Sequence, residues 1–286
     1  VATNVVLRQL ITNLNALAAM NQCSQAVYTQ TIILKQNMIF RHSGTFGDLI
    51  YGLAAVKKMG GGTFAVHLEN IENCVAQYGY RSDEVDPAHR GRFRNTDFDL
   101  IRPLLSRQPY IDQVTVWTGD HDVDLDQFRG VLFRGFEGNY VEAYHRTFNL
   151  PFSPEVYNET WLEADPVRMA TVVINRTFRY RCPNGTGAWQ SLLEQANISQ
   201  NGIFVGTKDE HEDFEKSTGF RVNYYAVRDF KELADVIAGA DLFMGNQSAA
   251  YSIAMGLGKS SVLETIKIKP LANNECYFPR LNCQYF

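Results

Sequence analysis

The segment Arg41-His42-Ser43-Gly44-Thr45-Phe46-Gly47-Asp48 gathers several groups that can do chemistry between an apolar run, "NMIF", and a helical pattern, "GDLIYGLAAVKKMG". Asp48 and His42 can take up or release a proton, Arg41 carries fixed charge, and Gly44 and Gly47 let the backbone approach a bound anion. In that arrangement Asp48 is a candidate general base facing a substrate hydroxyl, with His42 as a second catalytic candidate. The same spacing also has a structural meaning. Thr45 followed three residues later by Asp48 is a capping-box variant, in which the acid accepts from the backbone at the helix start. Spacing alone favours the cap and leaves the base role open. Glu69, at the end of the second apolar run, stands where a dinucleotide-binding fold carries its ribose acid. Only Gly44-x-x-Gly47 of the glycine fingerprint is present, so an oxidoreductase reading has little to rest on.

Other loops add anion-binding chemistry. "NRTFRYRCPNGTG" holds Arg176, Arg179 and Arg181, whose planar donor forks suit a diphosphate, unless they pair with nearby carboxylates as a solvated basic loop. "GNQSAAYSIAMGLG" sets Asn246, Gln247 and Ser248 before a helix of small residues. Such a start binds phosphate through backbone N–H groups and the Ser248 hydroxyl, or uses Ser248 as an ordinary N-cap. Glu264, closing the next strand, is positioned for a ribose hydroxyl or simply ends the strand. In "GTKDEHEDF", Thr207 and Glu210 form a capping box that accounts for most of the acidity. "TGDHDVDLDQF" alternates acids without the rest of a calcium loop and reads as a solvated turn, so no metal site is expected. P-loop, H-E-x-x-H and G-x-S-x-G motifs are absent from the sequence.

The elements that must carry these loops follow from periodicity. "NMIFRH", the helix "GDLIYGLAAVKKMG" and "TFAVHL" make a βαβ unit, and "IDQVTVW" is a further strand. The polar stretch "YRSDEVDPAHRGRFRNTDFD" reads as a long connection. After the prolines of "FNLPFSPEVYNETWLEADP", alternation resumes with strands "TVVIN", "GIFVG", "VNYYAV", "DLFMG" and "SSVLE" separated by helical patterns. Two consecutive α/β halves are expected, each doubly wound: residues 38–160 and 161–286, behind a helical extension over 1–37. In such sheets ligands bind beyond the carboxyl ends of the strands and in the cleft between halves.

Bulk properties narrow the function classes. The 286 residues are 45% hydrophobic and 20% charged, an ordinary globular composition. A net charge of -4 speaks against general nucleic-acid binding or a polybasic membrane anchor. Five scattered cysteines with no Cys-x-x-Cys pair point to a reducing, cytoplasmic setting without structural zinc. The first twenty residues mix asparagines into their apolar positions and lack a bilayer-length span, so no transmembrane anchor is expected.

"FRHSGTFGDLIYGLAAVKKMGGG" resembles the amino-terminal signature of the heptosyltransferase-like glycosyltransferases of family 9, and "ELADVIAGADLFMGNQSAAYSIAMGLGKSSVLE" resembles their carboxyl-terminal segment. "INRTFRYR" and "GNQS" are closest to phage and environmental proteins of this type. The resemblance implies a GT-B fold, two Rossmann-like domains facing a cleft, with acceptor on the first and nucleotide-sugar donor on the second. It implies Asp48 as base in an inverting transfer from a nucleotide-diphosphate sugar to a glycan, lipid-linked or other hydroxyl acceptor. It also implies arginines rather than a metal at the diphosphate, and no cofactor. Gln247 stands where the family carries an acid and Ala249 where it carries glycine, so sugar specificity does not transfer. A non-catalytic glycan- or nucleotide-binding protein on the same fold is the competing expectation.

Overall fold

The computed structural model describes residues 38–68, 93–132, 136–182, 186–265 and 274–286. The extension over 1–37, Glu69 and most of the long polar connection lie outside the described residues.

The chain enters through β1 (Ile39–His42), a short run that pairs on both sides. Helix α1 (Phe46–Lys58) follows, with Asp48 in its first turn and Lys57 and Lys58 in its last, charges that complement the helix dipole. Gly61 turns the chain into β2 (Gly62–Val66) at a φ of 84°, where a Cβ would overlap the Tyr110 carbonyl. Next come α2 (Asn95–Ser106), β3 (Ile111–Val116), β4 (Val123–Asp124), α3 (Phe128–Leu132) and α4 (Tyr140–Thr147). The first sheet has the order β3-β2-β1-β4, with every pairing parallel.

Two expectations change here. Helix α2 begins inside the stretch read as a connection, because Asp97 accepts from the Arg94 N–H at 2.9 Å and Phe98, Ile101, Leu104 and Leu105 bury one face. The acidic segment read as a solvated turn supplies β4. Asp122, itself exposed, accepts from the Ile39 N–H at 2.8 Å, and Asp124 pairs with Arg41 at 2.7 Å, so the end of the segment is held by the sheet edge while Asp120 and Asp122 keep the solvent.

The second sheet is built from β5 (Val172–Asn175), α5 (Thr186–Gln195), a short α6 (Ile198–Asn201), β6 (Gly202–Val205), α7 (Lys208–Thr218) and β7 (Asn223–Tyr225). It continues with α8 (Phe230–Gly239), β8 (Leu242–Asn246), α9 (Ala249–Gly256), β9 (Ser261–Glu264) and β10 (Cys283–Tyr285). Its order is β10-β9-β8-β5-β6-β7, again all parallel. Every residue of β5, β6 and β9 is buried, which is why those strands read as continuous apolar runs. Trp189, Phe204, Phe214 and Met244 fill the core beside them.

Within residues 39–286, a single compact unit, the two sheets are joined through packed helices. Helix α1 lies on α9, and α2 on α8. Trp161, on the linking segment, donates its indole N–H to the Ile50 carbonyl at 2.9 Å. Arg280 donates to the carbonyls of Met255 (2.8 Å) and Glu159 (3.3 Å), stitching the carboxyl-terminal segment to both halves. The strands therefore deliver their following loops to a shared opening.

Candidate functional site

The loop after β1 is built around carboxylates. Asp48, 4% exposed, sits at the third position of α1, where its Oδ2 accepts from the Thr45 N–H at 3.3 Å and from Arg129 Nη2 at 3.0 Å. Oδ1 has no hydrogen-bond partner among the described residues, and Asp48 lines a cavity. Arg129 also donates to Asp126, which accepts from the Ser43 N–H, the Ser43 hydroxyl and Arg41 as well. Burial alone would favour the neutral acid at Asp126, yet His42, Arg129 and Ser43 hold its carboxyl well below the usual aspartate range. Burial likewise opposes charge on Arg129, and Asp48 and Asp126 more than restore it.

His42 lies behind this loop and not at its surface. Its ring is fully buried, with Nε2 2.6 Å from the Tyr144 hydroxyl and Nδ1 between the Gly44 nitrogen at 2.9 Å and Asp126 Oδ1 at 3.2 Å. Packed among Phe64, Phe128 and Tyr144, the ring does not line the cavity, where a catalytic role was expected of it. Tyr144 donates to the Asp48 backbone carbonyl at 3.0 Å, so His42 supports the loop from below. Gly44 is needed for close approach, but by protein: a Cβ there would overlap Arg129 and come within 2.7 Å of Asp48 Oδ2.

Across the cavity the second half contributes the loop after β5 and the start of α9. Asn246, fully buried, accepts from the Thr177 N–H at 2.9 Å and donates to the carbonyls of Thr177 (3.1 Å) and Arg179 (2.6 Å). It shapes the loop and does not face the opening. Arg176 is spent on Glu264, donating through Nε at 2.7 Å and Nη2 at 3.0 Å, while the Cys182 N–H and the Trp189 indole N–H, each at 2.9 Å, complete that carboxylate. Arg181 turns to the Thr177 carbonyl and Asp213. Arg179 alone of the three arginines lines the cavity; its guanidinium lies over the Tyr180 ring and donates to the Tyr180 hydroxyl at 2.8 Å. Tyr180 is held at φ 53°, an uncommon backbone setting for a bulky residue, next to the opening.

Ser248 caps α9 by accepting from the Tyr251 N–H at 3.2 Å. The remaining first-turn N–H groups have no helical acceptor and point toward the cavity end of the helix, where an anion is favoured. The cavity, about 350 Å³, is lined by Asp48 and Gly47 from the first half and by Arg179, Gln247 and Ser248 from the second. Aromatic rings of Phe46, Tyr51, Tyr140, Phe178 and Tyr180 complete much of its wall. In two of the lining residues a polar atom, the Tyr51 hydroxyl and Gln247 Oε1, is buried without a hydrogen-bond partner among the described residues. Gln247 Nε2 donates to Glu275 at 3.1 Å. Burial raises the Glu275 carboxyl above the usual glutamate value, the Gln247 bond offsets part of this, and the charge of Asp48 adds to it.

Of the residues singled out by sequence, Asp48, Gly47, Arg179, Gln247 and Ser248 meet at the cavity, whereas His42, Gly44, Arg176, Arg181, Asn246 and Glu264 stand behind its walls. Arg129, Asp126 and the aromatic wall escape motif reading, since Arg129 follows Asp48 by 81 residues and carries no local signature. The alternating acids of "VDLDQF" were the available signal for Asp126. Among the described residues no group of three or more His, Cys, Asp or Glu is placed to hold a metal ion, and no helix is long and apolar enough to cross a membrane.

No family model matches the chain, and no curated protein matches it by sequence. Solved structures do. The E. coli ADP-heptose lipopolysaccharide heptosyltransferase II superposes with a TM-score of 0.54 at 11% identity, over 88% of this chain and 90% of that one. The E. coli heptosyltransferase WaaC with ADP gives 0.53 at 11% identity, over 86% and 92%. A family 9 glycosyl transferase from Veillonella parvula gives 0.51 at 10% identity, over 87% and 84%. What is shared at these identities is the fold: an α/β architecture of the GT-B type, with two parallel sheets consistent with two Rossmann-like domains. The resemblance to phage and environmental proteins has no counterpart in these structures.

Proposed function

We propose that the protein is a glycosyltransferase that moves a sugar from a nucleotide-diphosphate donor to an acceptor hydroxyl with inversion. The observation that carries this reading is the uncommitted Asp48 Oδ1 on a cavity whose opposite wall is a helix N-terminus flanked by Arg179. Asp48 takes the acceptor proton as the acceptor oxygen attacks the anomeric carbon; the bond from that carbon to the diphosphate breaks, and its electron pair leaves with the phosphate oxygen. Arg179 and the first N–H groups of α9 receive the developing negative charge, so the reaction needs no metal and no resident cofactor in this reading. The aromatic wall offers stacking surface for a nucleoside. A solved structural relative holding ADP supports a nucleotide donor.

In the same reading residues 38–160 present the acceptor and 161–286 the donor, in the cytoplasm, where nucleotide sugars are made. The acceptor is a glycan, lipid-linked or other hydroxyl compound. A thermal-shift screen of nucleoside diphosphates and nucleotide sugars tests the donor, because a ligand selective for the native state raises the melting point. Turnover of the best stabiliser, lost in Asp48→Asn, supports the transferase; binding with no turnover across a broad acceptor panel supports a non-catalytic binding protein instead.

A further inference from the structure

We propose that Arg129, anchored by Asp126, is a positioning residue that decides which oxygen of Asp48 meets the acceptor. The inference rests on the transferase reading and goes beyond it, to the group that holds the base. Arg129 Nη2 donates to Asp48 Oδ2 at 3.0 Å, and the Thr45 N–H donates to the same oxygen at 3.3 Å, so two donors converge on one carboxylate oxygen and the other stays open. Arg129 is itself fixed. Its second terminal nitrogen donates to Asp126, its plane lies over the Phe128 ring, and the absence of a Cβ at Gly44 makes the room it occupies. Asp126 is locked in turn by Ser43 and Arg41 on the strand edge that β4 closes.

Asp126 also answers a problem the reaction creates. When Asp48 takes the acceptor proton it becomes neutral, and a buried arginine paired only with it would lose its counter-charge. With Asp126 on its other nitrogen, Arg129 stays paired throughout the cycle, so proton uptake does not strand a buried cation. Charged and titratable groups facing Asp48 are Arg129, with Asp126 and His42 behind it, Tyr144 on its carbonyl, and Tyr140, Tyr180 and Glu275 from the other elements around the cavity.

The test uses the full chain and the variants Arg129→Gln, Arg129→Lys and Asp126→Asn, each checked by thermal melting, with Asp48→Asn as reference. Arg129→Gln is expected to lower kcat roughly 10- to 100-fold, a part of what a misplaced general base loses, while nucleoside diphosphate affinity stays unchanged. Asp126→Asn, which removes the anchor of the second guanidinium nitrogen, is expected to lower kcat in the same direction by a smaller factor, again with nucleoside diphosphate affinity unchanged. Arg129→Lys recovers only part of kcat, since a compact ammonium lacks the fork that spans two carboxylates. A folded Arg129→Gln protein with parental kcat overturns the inference. If Arg129→Gln does not fold, lowered kcat at unchanged nucleoside diphosphate affinity in Asp126→Asn and Arg129→Lys decides it, and parental values in both overturn it. Parental turnover in Asp48→Asn instead overturns the transferase base. If the parental chain turns over no nucleotide sugar, the transferase reading falls and the inference falls with it.

Discussion

Each half of the molecule buries an arginine against a carboxylate, and the two pairs differ in what they leave over. In the second half Glu264 receives Arg176 twice, the Cys182 N–H and the Trp189 indole N–H, so both oxygens are filled and the residue is fully buried. In the first half Asp48 receives Arg129 and the Thr45 N–H on one oxygen only, and its residue reaches the cavity. An acid at a strand end or helix start acquires chemical capacity from the lone pairs its neighbours do not use. In the proposed transferase the first pair supplies the base, and the second fastens the loop that carries Arg179.

The largest contrast is expected from Asp48→Asn, which should lower turnover by roughly 10²- to 10⁴-fold while the melting profile still reports a folded chain, because Asp126 keeps Arg129 paired. The matching change in the other pair, Glu264→Gln, should act on stability. It leaves Arg176 buried without a counter-charge, a loss of about 3–5 kcal/mol in urea unfolding, with nucleotide binding weakened only through the loosened loop. Reversal of these two outcomes would break the comparison. A smaller effect is expected of Gly44→Ala, where the new Cβ forces Arg129 and Asp48 apart; about 1–3 kcal/mol of stability should be lost together with kcat. Ser248→Ala should be the mildest, about 1 kcal/mol from the lost cap at α9, with weaker nucleoside diphosphate binding by calorimetry.

The regular elements were largely legible because parallel strands buried on both faces and one-sided helices write their burial into apolar period. Strands β1, β2 and β3 and the five strands from β5 to β9 lie where the apolar runs stand, and the Thr207–Glu210 capping box forms at 3.0 and 3.2 Å. Strand β4 was hidden since Asp124 within it is satisfied by Arg41 and Asp122 just before it by the Ile39 N–H, partners remote in sequence. Strand β10, "CQY", is too short and mixed to stand out until β9 offers it an edge. At the site, Asp48, Arg179, Gln247 and Ser248 were legible as loop residues following strands. That Arg176 and Glu264, 88 residues apart, would consume one another was not.

Local pattern suffices for the α/β order, for the loops that follow each strand, and for the capping position of Asp48, because propensity, period and caps act over a few neighbouring residues. The fate of each charge is different. Whether an arginine meets a ligand or a buried acid, and whether a histidine reaches solvent or a tyrosine, depends on chain segments brought together only when the sheets assemble. The open oxygen of Asp48 belongs to that second kind: Thr45 beside it accounts for the cap, and Arg129, distant in sequence but in the helix after the neighbouring strand β4, leaves the other oxygen open.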